Sequence, residues 1–577
     1  MNLEATERVP ASAMGVGGFG GRWLCLSAAI LATFAGTGVG YAWGVFSPTL
    51  KAKLGLSQSQ LMIVANAPTY AVSLPPMAFV PGWVYDAGGD RRGAVISMLL
   101  AALGLGGGYL LMYATAEHLL PIPHTPGWSV SMLFIGNVAA GWGASFSCVA
   151  TMVVIVKNFP HRRGTIVGLV KCITGLSGGM YAQLYSGFLA PNALNFVLMA
   201  AICNLLLNSG TALFLPVVAP DRNERHLDTR LRLAMALVIL LTAGILAAAI
   251  AAHFFPEDAG AGSASGSDAG DAGGRDRAKD FAVGLIVVFC AVLCVPALGG
   301  DCRPECSDES VRNRVQEALR REGKAWRANR RTDTEEPLLD EKPEEQEVED
   351  RNPCQALATL DCWLLMWADA WAQGAGMMMS ANMGQLVEAN GASDQAFFVS
   401  LFSVGNCAGR AVLGMASDAL VARGVPRSHG LLAVSCIFTI MGVLGTLDSG
   451  SGGLYVVVLL GGVGMGAINA LEPTIVSEMF GTKHMGKNYM LLWVGQFGTV
   501  VLLSQVLASK VYEAHCPEGS NVCIGGECFE DTFLVTAALN ATGVLSATAL
   551  MLRQWSRRRA SAAPVVVRTR IRGSVQS

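Results

Sequence analysis

Fourteen apolar runs, each near the length that crosses the roughly 30 Å of bilayer hydrocarbon, dominate this chain. Six lie near 23–46, 62–85, 94–115, 128–156, 164–188 and 194–218. Two follow near 231–255 and 281–299. The last six lie near 360–388, 395–420, 430–448, 453–479, 486–510 and 531–552. Backbone in lipid must satisfy its own hydrogen bonds, so spans of this length fold as helices. The expected fold class is therefore an all-α polytopic membrane protein of about 14 transmembrane helices. With 52% hydrophobic and only 15% charged residues, a soluble globular chain is excluded. The 67 glycines suit helices that approach closely through small residues.

Loop charges orient the spans, because basic residues gather on the cytoplasmic side. Counted from a cytoplasmic N-terminus, the inside loops hold Arg91/Arg92, Arg162/Arg163, Arg222/Arg225/Arg230, Arg423/Arg427 and Lys483/Lys487, and the tail adds Arg557, Arg558 and Arg559. The opposite loops carry few bases apart from Lys51 and Lys53. Both termini are expected inside, which an odd number of spans would break. The first 21 residues show no apolar core behind a basic start, so no cleaved signal peptide is expected.

The runs divide the chain into a tail at 1–21, a six-helix bundle at 22–218 and an extra helix pair at 219–300. A charged linker at 301–356, a second six-helix bundle at 357–553 and a basic tail at 554–577 complete it. Residues 256–280, rich in Gly, Ala, Ser and Asp, read as a flexible external loop. In the linker, 311–331 reads as a short basic helix and 335–350 as an acidic disordered stretch. Glu335-Glu-Pro-Leu338-Leu339 approximates an acidic dileucine signal, and Cys302 and Cys306 lack a second ligand pair for zinc. External Cys516, Cys523 and Cys528 allow a disulfide whose pairing spacing does not decide.

Two loops carry one motif. Gly82-Trp-Val-Tyr-Asp86 is followed by Arg91, Arg92 and Gly93, and Gly414-Met-Ala-Ser-Asp418 by Arg423 and Arg427. The glycine admits a neighbouring backbone, and the carboxylate can meet a cation or a helix N-terminus across the gap. Other echoes keep the same order. Trp23, Gly36 and Gly44 repeat as Trp363, Gly376 and Gly384, while Asn158–Gly164 parallels Met479–Gly486. These features resemble the major facilitator superfamily, whose implied fold is two six-helix repeat bundles, here with two extra central helices.

A narrower resemblance is to the nodulin-like branch of that superfamily. It rests on Arg22-Trp23, Gly40-Tyr41, Gly44, Ser47-Pro48, Lys51, Gln58, Asn158-Phe159-Pro160, Arg163-Gly164 and Gly168-Leu-Val-Lys171. In the second half it rests on Asp361-Cys-Trp363, Gly374-Ala-Gly376, Asn382-Met-Gly-Gln385, Asn406-Cys-Ala-Gly409-Arg410, and Pro473 with Ser477–His484. The match spans about 22–218 and 357–510. It implies a membrane transporter without naming its solute, members having been linked to iron and organic acids. Asp369 and Glu472 depart from the neutral residues that the resemblance leads one to expect.

Charges within apolar helices are expensive, by about 2.5–3.5 kcal/mol on insertion scales, and mark candidate sites. Lys171 reads as an anion ligand, as the partner of a carboxylate, or as a lysine snorkelling to the surface. Asp369 reads as a proton or cation site, or as a salt bridge to Lys171 or Arg410. Glu472, beside Pro473, reads as a coupling group or a partner for Arg410, and Arg410 as a gate or inter-helix clamp. Gln373, Asn382 and Gln385 join them as candidate site residues. Further polar groups that line a cavity or hold helices together are Asn66, Tyr70, Asn137, Gln183, Asn406, Asn469 and Gln496. Gly82, Asp86, Arg91, Arg92, Arg410, Gly414 and Asp418 form the candidate gating set. Met377-Met-Met379 reads as packing rather than a soft metal site.

The leading expectation is a secondary active transporter moving a small solute, an organic anion or a metal complex, by alternating access and with proton coupling. The alternative is a non-transporting receptor or scaffold that signals through 301–356. No nucleotide-binding glycine loop, Ser/His/Asp set or His-rich cluster suggests an enzyme, and no cofactor or metal site is expected. No basic stripe suggests nucleic acid. The expected partners are solute, protons and the lipid bilayer, in a plasma membrane or an endomembrane. Oligomeric state is not legible.

Overall fold

The computed structural model describes residues 21–297 and 350–562, apart from short internal stretches of which 218–226, 255–267 and 518–522 are the longest. The expected basic helix, acidic stretch, dileucine-like motif and Cys302/Cys306 lie outside the described residues, as do most of both tails. So does nearly all of the linker on which the scaffold reading depends.

The first part consists of α1 (Gly21–Tyr41), α2 (Trp43–Leu54), α3 (Gln58–Ser73), α4 (Val80–Ala116), α5 (Pro126–Asn158), α6 (Arg163–Leu184) and α7 (Ala193–Thr211). Next come α8 (Leu227–Phe254) and α9 (Asp268–Ala297). The second part holds α10 (Pro353–Leu357), α11 (Leu360–Ala381), α12 (Met383–Ala389), α13 (Gln395–Ala422), α14 (Ser428–Gly445), α15 (Gly450–Phe480), α16 (Met485–Val500), α17 (Ala508–Ala514) and α18 (Glu527–Ala562).

Among the described residues, ten stretches are long and apolar enough to cross a membrane. The difference from fourteen has local causes. The run near 62–85 is broken after Ser73: its first part is α3, 16 residues long, and only its end joins the run near 94–115 in one stretch, Met77–Ala116. Its helix α4 reverses at Gly89, where φ is 69° and ψ is 177°. The reversal brings Gly93 so close to Tyr85 that a Cβ there would lie 2.1 Å from the Tyr85 carbonyl oxygen. Helices α6, α9 and α11 are not among the ten. Glycines and Lys171 dilute α6, and Asp361, Asp369 and Gln373 dilute α11, whereas α9 carries an apolar run from Phe281 behind a charged first segment. That segment corrects the loop expected at 256–280, since the chain is helical from Asp268.

Packing sorts the helices into two sets. In the first, α4 lies on α5 and α7, and α1 on α5, α6 and α7. In the second, α13 lies on α15, α14 on α18, and α11 on α16 and α18. The sets meet where α6 runs along α13, and where α16 crosses α3 and α4. The extra pair is not peripheral to this seam. Helix α8 touches both α6 and α13, and Thr242 shares a 3.3 Å hydrogen bond with Cys407. Helix α9 packs on α1, where Ser27 Oγ donates to the Leu293 carbonyl at 2.7 Å.

Before α10, Asn352 makes a reciprocal capping box with Gln355, and Pro353 takes the first turn, where a missing N–H costs nothing. This fixes the chain entry, so that Arg351 N donates to Phe480 O at 3.0 Å and Asp350 accepts from Lys483 N at 3.1 Å. At the other end of the second set, Cys523 and Cys528 form the disulfide that spacing left open, and Cys516 is free.

Candidate functional site

The two motif loops act on opposite partners in the same way. Asp86 accepts from the amides of Gly486 (3.3 Å) and Lys487 (3.1 Å), the first turn of α16. Asp418 accepts from the amides of Gly164 (2.9 Å) and Thr165 (2.7 Å), the first turn of α6, and from the Thr165 hydroxyl at 2.7 Å. Each carboxylate thus satisfies orphan N–H groups at a positive helix terminus, in the opposite helix set. The glycines make the approach possible. A Cβ on Gly82 would lie 2.4 Å from the Gly486 carbonyl oxygen, and one on Gly414 would lie 2.6 Å from that of Gly164.

The second latch is the more heavily charged. Arg427, 4% exposed, reaches Asp418 at 2.7 Å and Glu478 at 2.6 Å, and also donates to Ser417. Burial disfavours the guanidinium charge, but Glu478 and Asp418 outweigh it and hold the pKa above the ordinary arginine value. In the first latch, Asp90 rather than an arginine makes the ion pair, with Lys157 at 2.5 Å. Arg91 and Arg92, expected in the gating set, are exposed at the surface. Their spacing marked a loop, not a contact.

Deeper in, four ionisable side chains are buried along the seam: Lys171 on α6, Arg410 on α13, Asp369 on α11 and Glu472 on α15. No ion pair within 4.0 Å joins any two of them, so the expected salt bridges from Asp369 or Glu472 to Lys171 or Arg410 are not made. Arg410 is fully buried and donates instead to the backbone carbonyl of Lys171, which fits the inter-helix clamp reading. Lys171, 5% exposed, does not snorkel. Its Nζ lies 3.2 Å from Cys148 Sγ and 3.3 Å from the Tyr489 hydroxyl, and Tyr489 belongs to the other set. Beside it is a cavity of about 10 Å³, lined by Thr33, Thr37, Ser147, Thr151 and Thr174. That is room for about one water.

The two carboxyls share a donor. Gln496 Nε2 is 2.8 Å from Asp369 Oδ2 and 2.8 Å from Glu472 Oε1, which also accepts from Gln373 at 2.5 Å. Asp369 Oδ1 and Glu472 Oε2 have no donor. Both carboxyls therefore lie within hydrogen-bond reach of a single amide nitrogen.

Of the remaining sequence candidates, Gln373 and Gln496 join this cluster. Asn382 does not. It donates to the carbonyls of Met378 and Ser504 where α11 breaks. Gln385 is half-buried on α12, outside the hydrogen-bonded cluster. Asn137 ties α5 to the Val64 carbonyl, and Asn469 bonds within its own helix. Sequence reasoning missed Tyr489, Glu478 and the role of Cys148. A hydroxyl-bearing aromatic beside Asn488 was the only available signal for the first. Among the described residues no group of three His, Cys, Asp or Glu is placed to hold a metal ion.

The fold is that of a solved proton:xylose symporter, XylE, with a TM-score of 0.52 at 11% identity over 91% of this chain and 94% of that one. Helices crossing a membrane in this arrangement define an integral multi-pass protein of the major facilitator class. Within it, residues 22–258 match the Nodulin-like family model and residues 348–561 match the model of the NFD4 C-terminal domain. Protein NUCLEAR FUSION DEFECTIVE 4 of Arabidopsis thaliana is 24% identical over 560 residues, covering 92% of this chain and 88% of that protein. Probable transporter MCH1 of Yarrowia lipolytica is 29% identical over 211 residues, covering 33% of this chain and 41% of that one. The chain thus carries a Nodulin-like domain followed by an NFD4 C-terminal domain, on a fold similar to that of major facilitator transporters.

Proposed function

We propose that this protein is a secondary active transporter that moves a small solute by alternating access, with proton coupling, and that it has no enzymatic role. The observation that carries this reading is the pair of latches. Each helix set sends a Gly-x-x-x-Asp onto a helix N-terminus of the other, as two bodies that close and part along one face require. Opening lets water take the place of the amide–carboxylate contacts that it breaks.

In this reading the two sets are six-helix repeats, the extra pair α8 and α9 makes fourteen crossings, and both termini are cytoplasmic. Matching breaks support the repeat. Helix α1 ends at Tyr41 and α11 at Ala381, each eighteen residues after its tryptophan, Trp23 or Trp363. Helices α6 and α16 each continue into a π-helical segment, Tyr185–Leu189 and Val501–Leu507. The site residues are Lys171, Asp369, Gln373, Glu472 and Gln496, with Tyr489 joining the halves. The latch face is cytoplasmic, and the disulfide lies on the opposite, oxidising side. Because α8 touches both sets, it acts as a brace along the seam.

The test is solute flux into proteoliposomes holding the purified full-length protein, across organic acids, sugars, amino acids and iron complexes. Flux of a labelled solute that Gly414→Val abolishes supports the reading. Folded protein that moves none of them contradicts it.

A further inference from the structure

The seam holds two buried cations and two buried carboxyls, and none of them is neutralised by direct contact. Every other charged residue on their helices, namely Arg163 on α6, Asp418 on α13, Asp361 on α11, Glu478 on α15 and Lys487 on α16, lies near a helix end. Asp361 is matched by Arg553 and Arg557, and Asp418 and Glu478 by Arg427. The other titratable groups beside Lys171 are Tyr489 and Cys148, and the next residue along α6, Cys172, donates to the Cys407 carbonyl. With all four ionised, the interior is neutral.

That balance decides what can be carried. A net charge in a membrane interior is costly, so the loaded site is stable when its sum returns to zero. An anion alone would leave the site negative, and a proton alone would leave it positive. One of each restores neutrality. The geometry separates their places. The proton site is the carboxyl pair that shares the Gln496 amide, where Asp369 Oδ1 and Glu472 Oε2 have no donor. The anion site is the cation end, where the Lys171 ammonium has only a thiol and a phenol for partners and Arg410 Nε has none. The Thr33 hydroxyl, also without a partner, lines the cavity there.

We infer that the site carries one small monoanion together with one proton, electroneutrally. This deepens the transport reading and rests on it. A proton from the entry side settles on the carboxyl pair, leaving one carboxylate against two cations and so making the site receptive to an anion. The anion displaces nothing covalent. Anion and proton leave together when the opposite face opens, and no bond other than the O–H of the shared proton forms or breaks. Tyr489 reports occupancy across the seam, since its hydroxyl from one set touches Lys171 of the other.

The experiment uses proteoliposomes of the full-length protein, with an internal pH dye and a potential set by potassium and valinomycin. Labelled formate, lactate, pyruvate and nitrate serve as monoanions, succinate as a dianion, glucose as a neutral solute and choline as a cation. The expected result is uptake of at least one monoanion with one proton per anion, driven by an inward proton gradient and unchanged by the imposed potential. Lys171→Gln is expected to lower uptake by about tenfold or more, the loss of a charged hydrogen bond. Asp369→Asn and Glu472→Gln, which keep the side-chain shape and remove one protonatable carboxyl each, should abolish acceleration of uptake by the proton gradient. Size-exclusion profiles check that each variant is folded.

Uptake that follows the potential, or flux confined to glucose, choline or succinate, overturns the inference and leaves the transport reading standing. So does monoanion uptake indifferent to Lys171→Gln. No flux of any probe by folded protein overturns both.

Discussion

Asp418 holds the amide of Gly164 at 2.9 Å across 254 positions of sequence, and Arg427 grips the same carboxylate oxygen at 2.7 Å. One side chain therefore fastens the two helix sets and is itself oriented by a buried guanidinium. Asp86 does the first of these tasks at Gly486 without the second. The two latches differ in strength for that reason.

Removing a capping carboxylate should free the amides it holds. Asp86→Ala is expected to speed hydrogen exchange at Gly486 and Lys487 by about tenfold, and Asp418→Ala at Gly164 and Thr165 by more, given caps worth about 1 kcal/mol. Exchange measured by mass spectrometry on peptides covering 484–490 and 162–168 reads this directly. Unchanged protection would mean that the carboxylates do not hold these termini.

Adding a side chain at the close approach should keep the face from shutting. A Cβ at Gly82 meets backbone at 2.4 Å, which no rotamer change can relieve. Gly82→Val is expected to cost about 1–3 kcal/mol of the closed state. Spin labels at the exposed positions 92 and 423 should then report longer distances than in the parent protein.

The shared amide should matter more than its lack of charge suggests. Gln496→Leu leaves Asp369 and Glu472 without their common donor, an expected loss of about 1–3 kcal/mol seen as a lower melting temperature. In a double-mutant cycle with Glu472→Gln, the coupling should exceed about 0.5 kcal/mol, as for residues in one network. Additive effects would separate the two residues.

Ion pairs should rank by burial. Arg427→Ala strands Asp418, whose side chain is 3% exposed, and should destabilise by about 3–5 kcal/mol. Arg553→Ala removes a side chain that is 41% exposed from Asp361, which Arg557 still serves, and should cost under about 1 kcal/mol. Thermal melts of the two variants under one condition give the comparison.

Much of this architecture was legible because it is local. Runs of about 20 apolar residues must be helical in lipid whatever surrounds them, and a glycine four residues before an aspartate marks a helix end that meets another backbone. The motif residues Gly82, Asp86, Gly414 and Asp418 could therefore be read directly, as could the cost of burying Lys171, Asp369, Arg410 and Glu472. Arg91 and Arg92 could not be placed by the same logic, since a basic loop satisfies the membrane's charge rule equally well at the surface. Length and composition alone register fewer spans where Lys171 dilutes α6 and where Asp369 and Gln373 dilute α11.

Spacing along the chain determined the helices, the two motifs and the list of buried charges, since each depends on the hydrophobicity and backbone freedom of residues close in sequence. Only the tertiary structure decided their partners. Asp369 faces Gln496 rather than a cation, Arg410 holds a backbone carbonyl, and Lys171 meets Tyr489 across the seam. Those choices depend on how helices hundreds of residues apart are rotated against one another. A turn of 100° per residue carries a side chain from lipid to seam without altering the hydrophobic pattern of the run.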